Sequence, residues 1–388
     1  MDSTLFFDIF RFSFFVGFLG LHVLLLLGVF LEWFRERKAF KTQDNYLPFV
    51  SLVIPVHNES QRIEGLLRSL ETQDYSQVEI IFVDDRSEDE SASMIGDFIS
   101  RMKGKKIELI TLKENPGVNR KQFALARGIE KSSGEFILFT DADCEMSPSW
   151  IGGMVKRLSD KSTGAVIAPV FKHPRGEKFY NGKKFLSLYQ CFEHGIRYVY
   201  LAGSTGLGSP GGGFGNNLIF RRECLEIVGG YDKIPPSPTE DAALISAIRS
   251  SGKYKIRSAL GKDVHVMTQG ENSWKELINQ TLRWNNGGLF SRDLLTRLNF
   301  SFLMITIGMG IVSVPLLSFI PSIWPLPLAV FISMSLNSIV NLSLFRASLP
   351  RHSFAFGLNL FFTPVYFTFL TILGFLGIRP DWKGKEVH

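Results

Sequence analysis

Cysteine is scarce in this chain: there are three, Cys144, Cys191 and Cys224, widely spaced and odd in number. No pair has zinc-ligand spacing and no disulfide framework can be drawn, so the small secreted disulfide-rich class is excluded and a reducing compartment is expected. A Lys/Arg stripe is also lacking. The net charge is +6, but basic and acidic residues are interspersed. With no nucleic-acid recognition motif either, no nucleic-acid partner is expected, and the basic excess suits anionic lipid or phosphate. Internal repeats and low-complexity segments are missing too. Finally, charge itself is nearly absent from long stretches at the two ends, where apolar residues and phenylalanines gather.

Those ends read as membrane segments. Residues 12–31 contain only His22 as an ionisable group, and about 20 such residues cross a bilayer core of ~30 Å. Arg35, Arg37, Lys38 and Lys41 follow. A cleaved signal peptide would carry its charge before the apolar run, so an uncleaved span is expected. The positive-inside tendency then places the central segment in the cytoplasm and the chain in the cytoplasmic (inner) membrane. Three further spans are expected at 302–320, 328–345 and 354–378. The link with Pro321, Pro325 and Pro327 is uncharged, and the next carries Arg346 and Arg351. Arg379, Lys383 and Lys385 then fall on the disfavoured side, which leaves room for one segment to be re-entrant or interfacial. Asn337 and Asn341, one helical turn apart, suit helix–helix hydrogen bonding better than a sugar-conducting surface. The organisation is therefore an N-terminal helix with basic linker (1–47), a central domain (48–298) and a C-terminal membrane region (299–388).

The middle alternates. Apolar, β-branched runs at 49–56, 78–83, 106–112 and 136–140 are separated by helical stretches at 59–72, 88–101 and 119–131. Strands and helices of these lengths in alternation predict crossover units and a Rossmann-like, mostly parallel sheet. In such sheets ligands bind beyond the carboxyl ends of the strands. His57-Asn58-Glu59, Asp84-Asp85 and Asp141-Ala142-Asp143 all stand there.

Each polar cluster has a chemical and a structural reading. Asp141 and Asp143 would repel unless a cation lay between them, and Mg²⁺ or Mn²⁺ carrying a diphosphate fits that need. The alternative is an Asx-turn capping a helix that starts near Pro148. One acid of Asp84-Asp85 could accept hydrogen bonds from a nucleobase or ribose, whereas Ser87 with Glu90 reads as a capping box. Arg120 and Lys121 open a helix after a turn at Gly117, and basic groups beside free backbone N–H groups suit a diphosphate. Asp241, in Pro238-Thr239-Glu240-Asp241, is either a general base for a hydroxyl or an acid in the first turn of a Thr-capped helix. Gln280, Arg283 and Trp284 share one face of a helix over 273–290, suited to a diphosphate and a sugar ring, or to a membrane interface.

Taken together these residues resemble the membrane-bound branch of the family 2 glycosyltransferases of GT-A fold, which includes cellulose, hyaluronan and chitin synthases and ceramide glucosyltransferase. The resemblance spans roughly residues 49–289 and rests on five elements in the family's order. They are Pro55-Val56-His57-Asn58-Glu59, Val83-Asp84-Asp85, Asp141-Ala142-Asp143, Thr239-Glu240-Asp241 and Gln280-Thr281-Leu282-Arg283-Trp284. It implies an inverting transfer of sugar from a nucleoside-diphosphate sugar, a UDP-sugar first, to a hydroxyl of a lipid or growing polysaccharide. By it, Asp84 contacts the base, Asp85 lies near the nucleotide, Lys121 near the diphosphate, Asp141 on the nucleotide and Asp143 on Mg²⁺ or Mn²⁺. Asp241 is the catalytic base, and Gln280, Arg283 and Trp284 hold the diphosphate and the acceptor end. Gly211-Gly212-Gly213-Phe214-Gly215-Asn216-Asn217 departs from the family's acceptor loop and leaves acceptor identity open. Phe185, Leu188, Phe192, Ile196 and Val199 have helical spacing, for a membrane-facing or a core helix. The short C-terminal membrane region mildly favours lipid transfer, or a synthase with partner subunits for export. A reading of another class is an inactive membrane scaffold or transport component.

Overall fold

A computed structural model of the chain describes residues 3–39, 47–114, 119–173, 184–237, 239–346, 348–349, 357–382 and 385–386. Lys41, the turn at Gly117, Pro238, Arg351, Lys383 and the start of the expected 354–378 span lie outside them. The elements are α1 (Ser3–Ala39), β1 (Val50–Val56), α2 (Glu64–Glu71), β2 (Val78–Asp84), α3 (Ser91–Arg101), β3 (Lys106–Thr111), α4 (Arg120–Lys131) and β4 (Phe136–Phe139). Then come β5 (Cys144–Met146), α5 (Trp150–Lys156), β6 (Thr163–Ile167), β7 (Val170–Lys172), α6 (Lys184–Gly206), β8 (Leu218–Arg221), α7 (Arg222–Ile227), α8 (Glu240–Ser250), β9 (Lys255–Ser258) and β10 (Val266–Thr268). Helices α9 (Trp274–Leu289), α10 (Leu294–Leu316), α11 (Pro325–Phe345) and α12 (Thr363–Phe375) follow. Two compact units arise: Leu31–His173 with Gly212–Gln269, and Met1–Phe30 with Pro174–Gly211 and Gly270–His388.

The first unit is an α/β domain. Its seven-stranded sheet has the order β3-β2-β1-β4-β8-β6-β9. β1 pairs in parallel with β2 (Val56 opposite Asp84) and with β4 (Val53 opposite Phe139), and β2 pairs in parallel with β3. β8 runs antiparallel between β4 and β6, while β6 and β9 are parallel. The continuous apolar runs of β1 and β4 are buried on both faces, as central parallel strands require. Leu66, Leu67, Ile95, Phe98, Trp150 and Ile151 pack with the strand residues Leu52, Ile54, Phe82 and Leu138 into one core. Each such side chain, fully buried, contributes roughly 1.5–3 kcal/mol. The chain leaves β1 toward β2 and β3 on one side and returns to β4 on the other. That reversal is a topological switch point, where a crevice opens beyond the strand ends. A second, three-stranded sheet β5-β10-β7 continues from β4. Buried Asn217 joins these layers: its Oδ1 accepts from Trp150 Nε1 (3.0 Å) and its Nδ2 donates to the carbonyls of Pro169 (2.9 Å) and Val264 (2.8 Å).

The last two turns of α1 belong to this domain and bind it through acids. Glu32 Oε2 accepts from Ser258 N at 2.9 Å, and Glu36 accepts from Leu260 N at 3.1 Å and Gly261 N at 3.2 Å. Arg157 pairs with Glu36 and donates to Asp263 Oδ2 (2.8 Å) and the Gly153 carbonyl (2.7 Å). Burial opposes the Arg157 charge, but Asp263 and Glu36 outweigh it and hold its pKa above the ordinary value.

The other unit is helical. Three described helices, Phe7–Lys38, Leu294–Leu316 and Pro321–Phe345, are long and apolar enough to cross a membrane; Asn359–Phe375 is apolar but shorter. Leu188, Phe192, Ile196 and Val199 of α6 are buried within the protein. α1 and α6 approach backbone to backbone: a Cβ added at Gly206 would overlap the Gly28 carbonyl, and one at Gly28 would overlap the Gly203 carbonyl. Asn341 is buried and reaches from α11 to the Phe192 carbonyl of α6 at 3.5 Å, a helix–helix contact.

Candidate active site

The loops after β1 and β2 are laced together. Asn58 N donates to Ser87 Oγ (3.0 Å), Glu88 N to Asn58 Oδ1 (2.8 Å) and Glu59 N to Ser91 Oγ (2.8 Å). His57 Nδ1 lies 2.7 Å from the Asp85 carbonyl, and its Nε2 lies 3.4 Å from Arg120 Nη1. Asn58 and Arg86 adopt φ of 54° and 57°, the left-handed region that non-glycine residues enter only when their surroundings fix them. Ser87 therefore serves the neighbouring loop, and the N-cap position of α3 is Glu90. Asp84 is buried, and its Oδ1 accepts from Ser87 N at 3.1 Å. Asp85 is buried beside Arg86, whose Nε donates to Oδ1 at 2.8 Å; among the described residues Asp85 Oδ2 has no hydrogen-bond partner.

Asp141 and Asp143 stand in the turn between β4 and β5, so a strand, not a helix, follows them. The helical cap is excluded, since α5 begins at Trp150 with Ser149 at its N-cap. Asp141 Oδ1 pairs with Lys121 Nζ at 2.7 Å, and the same ammonium lies 3.3 Å from Glu240 Oε1. Burial opposes the Lys121 charge, yet Asp141, Glu240 and Asp241 together raise its pKa above the ordinary lysine value. Asp143 is partly exposed, with Arg62 Nη1 at 3.8 Å and Cys144 Sγ at 3.8 Å. Burial and the charges of Asp143 and Asp141 push the Cys144 thiol well up. All three cysteines are buried.

α4 is capped by Asn119, whose Oδ1 accepts from Gln122 N at 3.3 Å. Asn119 Nδ2 also donates to the Ser237 carbonyl, and Gln122 Nε2 to that of Ile234 at 2.8 Å, so the start of α4 is tied to the segment that leads into α8. Thr239 occupies the α8 N-cap position without a side-chain cap bond, while Asp241 Oδ1 accepts from Ala242 N at 2.8 Å. Space is tight close by. A Cβ at Gly215 would lie 3.2 Å from Asp241 Cβ, and one at Gly213 would strike Ile245 at 2.6 Å. Lys121, Asp141 and Glu240 thus meet, with Asp241 next to Glu240.

Gln280, Arg283 and Trp284 lie on α9, in the helical unit. Gln280 is buried and its Nε2 donates to Glu271 Oε1 at 2.6 Å. Trp284 meets the His194 ring edge-on at 5.3 Å, and the Arg197 guanidinium lies 5.3 Å from its ring centre. Arg283 is partly buried on the same helix. Glu240 was missed by sequence reasoning although it sits inside the Thr-Glu-Asp element. The signal for Glu32 and Glu36 was a pair of acids one turn apart amid the basic end of an apolar helix. Arg62 gave none. Among the described residues no group of three or more His, Cys, Asp or Glu side chains converges as a metal cage.

Residues 51–227 match the model of Glycosyl transferase family 2. The chain is 28% identical to "Probable glycosyltransferase YdaM" of Bacillus subtilis (strain 168), over 69% of this chain and 63% of that one. It is 26% identical to "Beta-monoglucosyldiacylglycerol synthase" of Trichormus variabilis, over 70% of this chain and 54% of that one. The alignment thus spans less than two thirds of either relative. The solved mannosyltransferase PcManGT of Pyrobaculum calidifontis, in complex with GDP-Man and Mn²⁺, superimposes with a TM-score of 0.55 over 94% of this chain and 99% of that one, at 18% identity, which is a likeness of fold. The α/β domain has the GT-A fold, and its segment 51–227 is similar to the Glycosyl transferase family 2 domain.

Proposed function

We propose that the protein transfers a sugar, with inversion, from a nucleoside-diphosphate sugar (a UDP-sugar first) to a hydroxyl of a lipid or growing glycan. The transfer is placed at the cytoplasmic face of the membrane that the apolar helices enter. One observation carries the reading: at the switch point of the sheet, Lys121 bridges Asp141 and Glu240 next to Asp241. The lipid acceptor is favoured by the diacylglycerol-directed relative. An inactive scaffold is the weaker reading, since it gives no reason for Asp141 and the buried Glu240 to converge on one lysine.

A divalent cation fits the donor set. Asp143 is a partly exposed carboxylate whose neighbouring cation stands 3.8 Å away, and Mg²⁺ or Mn²⁺ completes such a partial shell with phosphate oxygens and water. When bound, the cation offsets the charge of the diphosphate leaving group. The remaining roles fall to side chains. Asp84 and Asp85 hold the nucleoside, Asp141 and Lys121 orient the nucleotide and diphosphate, and Asp241 accepts the hydroxyl proton of the acceptor as its oxygen attacks the anomeric carbon from the far side. Gln280, Arg283 and Trp284 hold the diphosphate and the acceptor end.

The test is to incubate purified protein with UDP- and GDP-sugars, Mn²⁺ and a lipid extract, and to identify the product by mass spectrometry. A glycosylated lipid or glycan, lost in Asp143→Asn, is expected. No product from any donor in the panel would contradict the reading.

A further inference from the structure

Glu240 opens α8 directly before Asp241. Its residue is only 6% exposed, and a carboxylate this deep is costly unless a cation answers it. The cation it faces is Lys121, 3.3 Å away, which also holds Asp141 at 2.7 Å. An ammonium has three N–H donors. Two acids on opposite segments, one after β4 and one opening α8, therefore fix the direction of the third. The spacing between those segments is itself held, because Asn119 and Gln122 at the start of α4 bond to the carbonyls of Ser237 and Ile234.

We propose that Glu240 is a positioning residue for donor binding: together with Asp141 it aims the Lys121 ammonium at the diphosphate. Without Glu240, Lys121 swings onto Asp141 alone and its remaining donors lose their direction. The inference rests on the reading that Lys121 meets the donor's diphosphate. It also gives the acid that precedes Asp241 a role of its own, exerted through the lysine.

The test is a double-mutant cycle on the full-length protein in detergent, with UDP and GDP, each with Mn²⁺, titrated by calorimetry. Glu240→Gln is expected to weaken nucleotide binding about tenfold, while Glu240→Asp recovers most of it. In the Lys121→Met background, Glu240→Gln is expected to change binding less than twofold. Equal weakening by Glu240→Gln with and without Lys121, or wild-type binding in Glu240→Gln, overturns the proposal. Asp241→Asn separates the two claims: it is expected to bind nucleotide normally and lose transfer. If it transfers normally, the assignment of the base fails whatever Glu240 does. If the wild-type protein binds neither nucleotide, the functional reading fails and this inference with it.

Discussion

Titratable side chains in the α/β domain divide into those that serve the site and those that serve folding, and pH tells them apart. Buried His265 packs beside Phe171 and near the Leu260 carbonyl. Burial lowers its pKa from 6.5 to about 4, against the raising pull of that carbonyl and of Asp263 and alongside the repulsion of Arg157 and Lys262. The unfolded chain takes up a proton that the folded one refuses, so this contribution is complete above the ordinary pKa and is lost as pH falls toward the folded value. At roughly 1.4 kcal/mol per unit it amounts to on the order of 3 kcal/mol. Glu79 does not interfere. Burial opposes its charge, but Lys106, Ser51 and Ser133 hold its pKa at about 2, so its stabilisation is lost only below the ordinary 4.5. Between pH 7 and 5 the thermal midpoint of the wild type should fall, and that of His265→Gln should fall measurably less. Parallel slopes would show that His265 is not held neutral.

Two contacts at the level of elements carry predictions. α1 and α6 pack so closely that Gly206 has no room for a side chain. Gly206→Val forces the helices apart, and overpacking of this kind costs about 1–3 kcal/mol. A lower melting temperature of the purified protein is expected, and an unchanged one would contradict the packing. At the other end of α1, Arg157 answers both Glu36 and Asp263. Arg157→Met leaves two acids without their cation, a loss of about 3–5 kcal/mol by the rule for broken buried pairs. Expression of folded protein, read by size-exclusion chromatography, should fall sharply, and more than for Lys106→Met, whose ammonium is largely exposed. The strands at Val50–Val56, Val78–Asp84, Lys106–Thr111 and Phe136–Phe139 were legible because they are unbroken apolar runs. Helix starts were legible only approximately. The expected helix over 59–72 begins at Glu64, because the loop from Asn58 bonds to Ser87, Asp89 and Ser91 across the sheet, a tertiary demand no local pattern displays. The antiparallel β8 and the three-stranded sheet are not legible in the sequence, since strands of three or four residues carry too little periodicity.

For the whole molecule, the candidate site residues are legible in the sequence, and the way they meet is not. Asp141, Asp143, Lys121 and Asp241 were all named from motifs, yet nothing in their spacing predicts that one ammonium would join Asp141 to Glu240. That meeting depends on α4 and α8 being brought together across more than a hundred residues of chain. The α/β domain with its GT-A fold and the apolar helical unit are each built from segments that interleave along the sequence. The apolar stretches were legible at both ends, and three described helices have the length to cross a membrane. The central claim is that Asp241 takes the acceptor proton, and a general base of this kind is worth about 10²–10⁴ in rate. The measurement is the initial rate of sugar transfer by Asp241→Asn in lipid nanodiscs, with nucleotide binding monitored on the same sample. The account predicts unimpaired binding of the nucleotide and a rate at least about 10²-fold below the wild type. Transfer at the wild-type rate would contradict it.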